Sequence, residues 1–369
     1  MAKTLGIINL HSDVRIKGLA DKRPVASVSF LGRYGIIDFA LSNLSNSQID
    51  KVAVLIQDKP RSLLKHMGYG NAWNFNSKSG GVSLLMDEQY MGNPSYNHDV
   101  NNLIENIAFI EKNEADYVVI TPAHVVTTMN YADIVAEHEA SGSPISIVYK
   151  AIDNADVDYV GCNYIKLNGN KVAEIKENKG NKKERNISLA TYVINKDELL
   201  KLLKQASEIS AFFNLKETLA YVADEKDINA IEYRGFAMDI RSLASYFQHS
   251  LSMCDIEVFT QVFKSNWPIY TNTNDTPPTK YKEDANVKSS IVANGAIIDG
   301  QVEHSIISRN VVIGKGAVVK NSILLNGASV AANAVLENVI LDKDAQVKMH
   351  TEIAGTPEAP LYVKEGDII

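Results

Sequence analysis

Up to about residue 150, short apolar runs alternate with stretches whose apolar residues fall at helical spacing. Leu5 to Leu10, Val52 to Ile56, Tyr117 to Ile120 and Ile145 to Tyr149 have the length and apolarity of strands buried on both faces. Between them, Pro60 to His66 reads as a helix with proline in its first turn. Asp99 to Asn113 sets Val100, Leu103, Ile104, Ile107 and Ile110 on one helical face, and Tyr131 to Glu139 is the next helix. This alternation predicts an α/β domain built on a mostly parallel sheet with helices on both faces. Gly68 to Tyr96, rich in Gly, Asn and Ser around Trp73, reads as a long surface excursion outside the core.

Residues 157 to 193 read as strands with a turn at Leu167 to Asn170 and a charged run from Lys179 to Arg185. A helix over Asp197 to Gln205 and a strand over Ile231 to Ile240 follow. The connector 248–282 ends near Pro277 and Pro278, which neither continue a helix nor donate to a sheet. From about 283 the pattern changes. Ile291, Ile297, Ile306, Val312, Val318, Ile323, Val330, Ile340 and Val347 recur at intervals mostly near six. A hexapeptide period is the signature of a parallel β-helix, about four coils between Ala285 and Ile353 at three hexads per coil. A short-stranded β-sandwich is the alternative. The expected organisation is an α/β domain over 1–247, the connector, and a β-helix with a C-terminal tail over 283–369.

Of the 369 residues, 45% are hydrophobic and 22% charged, as in a soluble globular chain. The net charge of −7 argues against nucleic acid or an anionic membrane as the main partner. Cys162 and Cys254 lie far apart without metal-ligand spacing, which suits a reduced, cytoplasmic setting. Neither a signal peptide nor a membrane anchor is expected.

The opening segment, strand, loop, Phe30 to Asn43 with its Ile36-Ile-Asp-Phe-Ala-Leu-Ser-Asn43 run, then a strand closing on Gln57, is the start of a nucleotide-binding α/β domain. It resembles the sugar-nucleotide pyrophosphorylases, most closely the ADP-glucose pyrophosphorylases of glycogen synthesis. The resemblance covers about residues 5 to 353 and implies a nucleotidyltransferase-like domain followed by a left-handed β-helix that helps hold subunits together. In that family a glycine-rich loop and an arginine-x-lysine-proline motif hold the triphosphate. Here Leu10, His11 and Asp13 stand where the loop glycines belong. Arg15 and Arg23 match the motif arginines, and Val25 and Ala26 replace the lysine and proline. Side chains at the glycine positions fill the cradle. A carboxylate at Asp13 would cost roughly 4 kcal/mol against a phosphate about 4 Å away at an effective dielectric of about 20.

Further family positions depart together. His124 replaces the metal-binding aspartate after the strand Tyr117 to Ile120, and imidazole is a poor ligand for Mg²⁺. Asp239 keeps the second metal aspartate, but Arg241 and Ser242 replace the glycine and threonine after it. Asp239 is then either a metal remnant or a structural acceptor paired with a nearby cation. Asn178 replaces the glucose-1-phosphate lysine. Ser188 and Tyr192 keep two positions of a serine-methionine-glycine-isoleucine-tyrosine motif that has lost its glycine, and Gln57 is also retained.

The resemblance therefore implies the non-catalytic, regulatory-type subunit, working in a heterotetramer with a homologous catalytic subunit. No catalytic residue, metal or cofactor is expected in this chain itself; Mg²⁺ belongs to the active partner. Arg15, Arg23 and Arg33 are candidates for binding a phosphorylated or nucleotide effector, or else form surface and structural ion pairs. Two other readings stand beside this one. The first is an active adenylyltransferase with an altered site. The second is a hexapeptide acyltransferase using His304 or His350 as base.

Overall fold

The computed structural model describes residues 3–12, 14–68, 70–75, 80–90 and 92–369. The chain divides into two compact units that interleave along the sequence. The first takes 1–13, 39–60 and 67–237; the second takes 14–38, 61–66 and 238–369.

The first unit is organised on a nine-stranded sheet. Its strands are β1 (Thr4–Asn9), β2 (Lys51–Ile56), β3 (Gly81–Met86), β4 (Tyr117–Pro122), β5 (Ile145–Ile152), β6 (Asn163–Asn168), β7 (Lys171–Glu177), β8 (Arg185–Asn195) and β9 (Ile228–Glu232). The order is β3-β2-β1-β4-β8-β5-β9-β7-β6. The four strands from β3 to β4 are parallel, with Leu5 beside both Lys51 and Val118. Antiparallel pairing enters with β8, against β4 on one side and β5 on the other, while β9 lies parallel to β5.

Helices α1 (Ile37–Asn46), α2 (Pro60–Met67), α3 (Asp99–Glu105), α4 (Ile107–Glu111), α5 (Tyr131–Ser141), α6 (Lys196–Ile209) and α7 (Leu215–Val222) follow the chain order. Strand alternation puts Leu5 and Ile7 in one core with Val100 and Leu103 of α3, Leu199 and Leu202 of α6 and Leu219 of α7. The opposite face takes α1. A Cβ built on Gly6 would lie 2.7 Å from Leu44 Cδ2, so glycine at this position lets helix and strand approach.

Several sequence expectations change here. The Gly68 to Tyr96 stretch is not wholly an excursion: it contains the edge strand β3, which pairs with β2 from Gly81 to Met86, and Trp73 is fully buried. The helix over Asp99 to Asn113 breaks at Asn106, whose φ of −98° and ψ of 19° leave the helical region. The side chain there donates to Met86 O at 3.0 Å, capping the end of β3. The strand read over Ile231 to Ile240 is two, Ile228–Glu232 and Ala237–Asp239. Helices α8 (Leu243–Ser252) and α9 (Ile256–Val262) occupy much of the connector stretch.

The second unit contains the β-helix. Its three parallel sheets have five strands each, from Lys280 to Val363, one rung more than the hexapeptide count. Ile291 stacks on Ile306, Ile306 on Ile323 and Ile323 on Ile340, steps of 15, 17 and 17 residues. Ile298, Ile313, Val330 and Val347 form one inward column of the core. The corners are left-handed residues stacked in register, as in Ser289, His304, Asn321 and Asn338, with φ between 41° and 54°. Asn tolerates this conformation better than most residues because its short amide bonds locally. His304 takes part in the corner ladder, its Nδ1 lying 2.9 Å from Asn321 Oδ1.

The segment 14–38 is clasped to this prism. Arg23 is 5% exposed. Its Nη2 donates to both carboxylate oxygens of Asp342, at 2.6 and 2.5 Å, and its Nε donates to Leu19 O at 2.7 Å. Tyr362 Oη donates to the same carboxylate at 2.6 Å, and so does the Lys343 amide at 2.7 Å. Gly18, at φ +87°, fits under Tyr362, where a Cβ would come within 2.4 Å of the ring. Removing one member leaves a buried charge without its counterion. Asp342→Ala is expected to lower the unfolding free energy by about 3–5 kcal/mol, read by urea denaturation. A loss below about 1 kcal/mol, the range of an exposed pair, would contradict the clasp.

Candidate functional site

In parallel α/β sheets, ligands bind beyond the carboxyl ends of the strands. In the first unit that edge is occupied by the protein's own amides. Asn102 Nδ2 donates to Ile56 O at 3.1 Å, Asn97 Nδ2 to Gln57 O at 2.9 Å and Asn106 Nδ2 to Met86 O at 3.0 Å. Asn9 Nδ2 donates to Asp99 Oδ2 at 2.8 Å, and the Leu215 amide donates to Asp99 Oδ1 at 2.9 Å. Burial raises the pKa of Asp99, and these donors oppose that shift. The side chains therefore satisfy strand ends with neutral donors.

His11 sits within this layer. Its amide donates to Asn9 Oδ1, and its Nε2 lies 2.9 Å from Asn102 Nδ2, a donor. Nε2 must accept, so the ring is neutral. Burial lowers its pKa to about 4, with backbone contacts acting in the opposite direction. Where the family loop would wrap backbone N–H groups round phosphate, this chain places an uncharged imidazole packed among amides. Asp13 lies outside the described residues. Gln57 contributes its carbonyl to the same layer, and His124 is buried in the connection that follows β4.

Asn178 is fully buried and acts as a clip between loops. Its Nδ2 donates to Ala155 O at 2.8 Å and to Tyr159 O at 3.1 Å, and its Oδ1 accepts from the Gly180 amide. A lysine there would lose these bonds. Lys176 does not substitute for it, because it pairs with Glu174, and Lys179 is exposed. Ser188 accepts from the Ala190 amide at 3.2 Å, at a register shift between β8 and β5. Ala190 holds φ +50° there. The lost glycine of the motif thus falls on a left-handed position of a β-bulge, which explains why the family pattern asks for glycine.

In the second unit, Arg23 is not available to an effector: the Asp342 clasp uses it. Arg15 and Arg33 are exposed, and Arg33 lies over the Tyr34 ring at 5.3 Å. Val25 is half-buried in a 3-10 turn behind Pro24. Asp239 is 1% exposed and ion-paired with Arg241. Among the described residues no group of three or more His, Cys, Asp or Glu could hold a metal, and no helix is long and apolar enough to cross a membrane. The asparagine layer was missed in the sequence; its signal was the density of asparagines from Asn93 to Asn106.

Two outcomes follow from this geometry. Ala190→Gly is expected to stabilise the fold by about 1 kcal/mol, because an L residue pays roughly that in left-handed backbone; thermal unfolding would show an unchanged or lower Tm if the bulge were relaxed. His11 has a folded pKa near 4 against an ordinary 6.5, so between these values the unfolded chain binds the extra proton. Stability is therefore complete above about pH 6.5 and falls as pH drops toward 4, by about 3 kcal/mol in all. In His11→Gln this component of the acid slope should vanish; an identical slope in both proteins would show that His11 titrates normally.

Comparison with known proteins agrees with this architecture. A nucleotidyl transferase family model matches residues 13–255, and a GlmU-like C-terminal hexapeptide model matches residues 277–360. The chain is 29% identical over 357 residues to the glycogen biosynthesis protein GlgD of Bacillus subtilis, covering 95% of this chain and 92% of that one. It is 29% identical over 354 residues to a glucose-1-phosphate adenylyltransferase of Fervidobacterium nodosum, covering 94% and 85%. The same enzyme of Lachnospira eligens is 32% identical over 305 residues, covering 81% and 71%. With both matched regions falling on the two architectures seen in the structure, the chain belongs to the nucleotidyl transferase family, in its glucose-1-phosphate adenylyltransferase group of glycogen biosynthesis.

Proposed function

We propose that this chain is a regulatory, non-catalytic subunit of a glucose-1-phosphate adenylyltransferase, acting in the cytoplasm on a homologous active subunit. That partner would join ATP and glucose-1-phosphate to give ADP-glucose and pyrophosphate. The observation that carries the reading is neutral His11 bonded into the asparagine layer at the strand ends. Phosphoryl chemistry needs positioned donors and positive charge around the transferring group, and here the donors are spent on the fold. The Asn178 clip and the Asp239–Arg241 pair support it in the same way.

Such a subunit works through differential affinity for the partner's conformations, a coupling of about 1–3 kcal/mol. The hexapeptide acyltransferase reading loses support because His304 is held in a corner ladder. His350 is likewise a corner residue, at φ +57°.

The test is adenylyl transfer by this chain alone, by its catalytic homologue alone and by the mixture. The expected result is no turnover alone and an altered rate or effector response in the mixture, by a factor of about 5–150. Magnesium-dependent turnover by the isolated chain at rates ordinary for enzymes would establish the altered-site reading instead.

A further inference from the structure

One flank of the β-helix is built from the strands Asn286–Lys288, Gln301–Glu303, Val318–Lys320, Val335–Glu337 and Glu352–Ala354, stacked parallel in that order. Their central residues, Val287, Val302, Val319, Leu336 and Ile353, belong to the core of the prism, so the residues on either side of each point outward. The outward residues form two columns. The first, Asn286, Gln301, Val318 and Val335, carries no charge. In the second, Lys288 lies beside Glu303, Glu303 beside Lys320 and Lys320 beside Glu337. All four are exposed. Among the described residues none of them makes an ion pair, whereas Lys282 pairs with Asp299 and Lys315 with Asp284 elsewhere on the prism.

Rungs of a parallel sheet stand about 4.8 Å apart, so the second column presents alternating charges at a fixed spacing. Alternation keeps like charges off neighbouring rungs, and it also gives the flank a symmetry. Read in the opposite direction, lysine-glutamate-lysine-glutamate becomes glutamate-lysine-glutamate-lysine. A two-fold axis along the strand direction, passing between Glu303 and Lys320, reverses the rung order and sets each column opposite its own copy. Lys288 then meets Glu337 of the partner subunit, and Glu303 meets Lys320 of the partner subunit, each contact occurring twice. The uncharged columns meet as well, Gln301 against Val318 and Asn286 against Val335. A two-fold axis along the β-helix would instead set each charge against its like or against the uncharged column, which costs free energy either way. Only the antiparallel pairing is complementary.

We propose that this flank is an interface between two copies of this chain, with the ladder from Lys288 to Glu337 setting an antiparallel register. The ladder is narrower than a stable interface of about 800 Å² per partner, so the isolated chain pairs weakly and in a salt-dependent way. In the assembly proposed above the flank would fix which subunits touch, and that role rests on the regulatory-subunit reading. The pairing itself needs only this chain, so either can fail without the other.

Sedimentation velocity of the full chain over a concentration series, at low and at high sodium chloride, provides the test. Wild type should dimerise at low salt and associate at least about tenfold more weakly at high salt. Glu303→Lys and Lys320→Glu should each weaken association at least about tenfold, because each change creates a like-charge contact on both sides of the axis. Mixed in equal amounts, the two single variants should form a heterodimer, since every changed position then faces its opposite. The double variant Glu303→Lys/Lys320→Glu should also recover dimers. It places like charges on neighbouring rungs, so a ladder serving only its own chain predicts a lower Tm and no regained association. A wild type that stays monomeric at low salt, or dimers that neither single variant weakens, overturns the interface. Single variants that remain apart on mixing overturn it too. Binding of the catalytic homologue that both single variants lose, with wild type monomeric, assigns the flank to that homologue and overturns the self-pairing.

Discussion

The ion pair between Arg23 and Asp342 joins residues 319 positions apart and decides how the chain is partitioned. Both groups are almost completely buried, so each is tolerated only because the other is present and because Leu19 O, Tyr362 Oη and the Lys343 amide satisfy what remains. Through it, residues 14–38 fold with the β-helix while the residues on either side of them build the sheet unit. The Gly18 fit under Tyr362 follows from that placement. So does the fate of the motif arginine, which is consumed by the fold.

The same physical choice recurs in the sheet unit. Strand ends in a parallel sheet leave backbone carbonyls without ladder partners, and each must find a donor. Asn97, Asn102 and Asn106 supply theirs. A layer so satisfied is stable without ligand, whereas a phosphate cradle keeps donors unspent until substrate arrives. His11 fits the first condition because it can be neutral; a lysine or arginine in that layer would bring an uncompensated charge. Asn178 likewise uses its side-chain amide for three hydrogen bonds within the fold.

Much of this was legible in the chain. The strands at Leu5, Val52, Tyr117 and Ile145 declare themselves as short continuous apolar runs, because burial on both faces leaves no polar positions, the helix at Pro60 by its first-turn proline and the β-helix by its hexapeptide period. That the loop, metal and sugar-phosphate positions are substituted was an expectation drawn from the family resemblance. The edge strand Gly81–Met86 was not, because only its short apolar run stands out among polar residues. Nor was the break at Asn106, which depends on the distant carbonyl of Met86.

The sequence by itself determined the two architectures, since periodicity and residue identity are local properties. Only the tertiary structure decided what the replacements do. Arg23 and Arg33 look alike as letters, yet one is locked in a buried ion pair and the other is exposed over the Tyr34 ring. A charged side chain has no role until its counterion is known, and counterions are found through space.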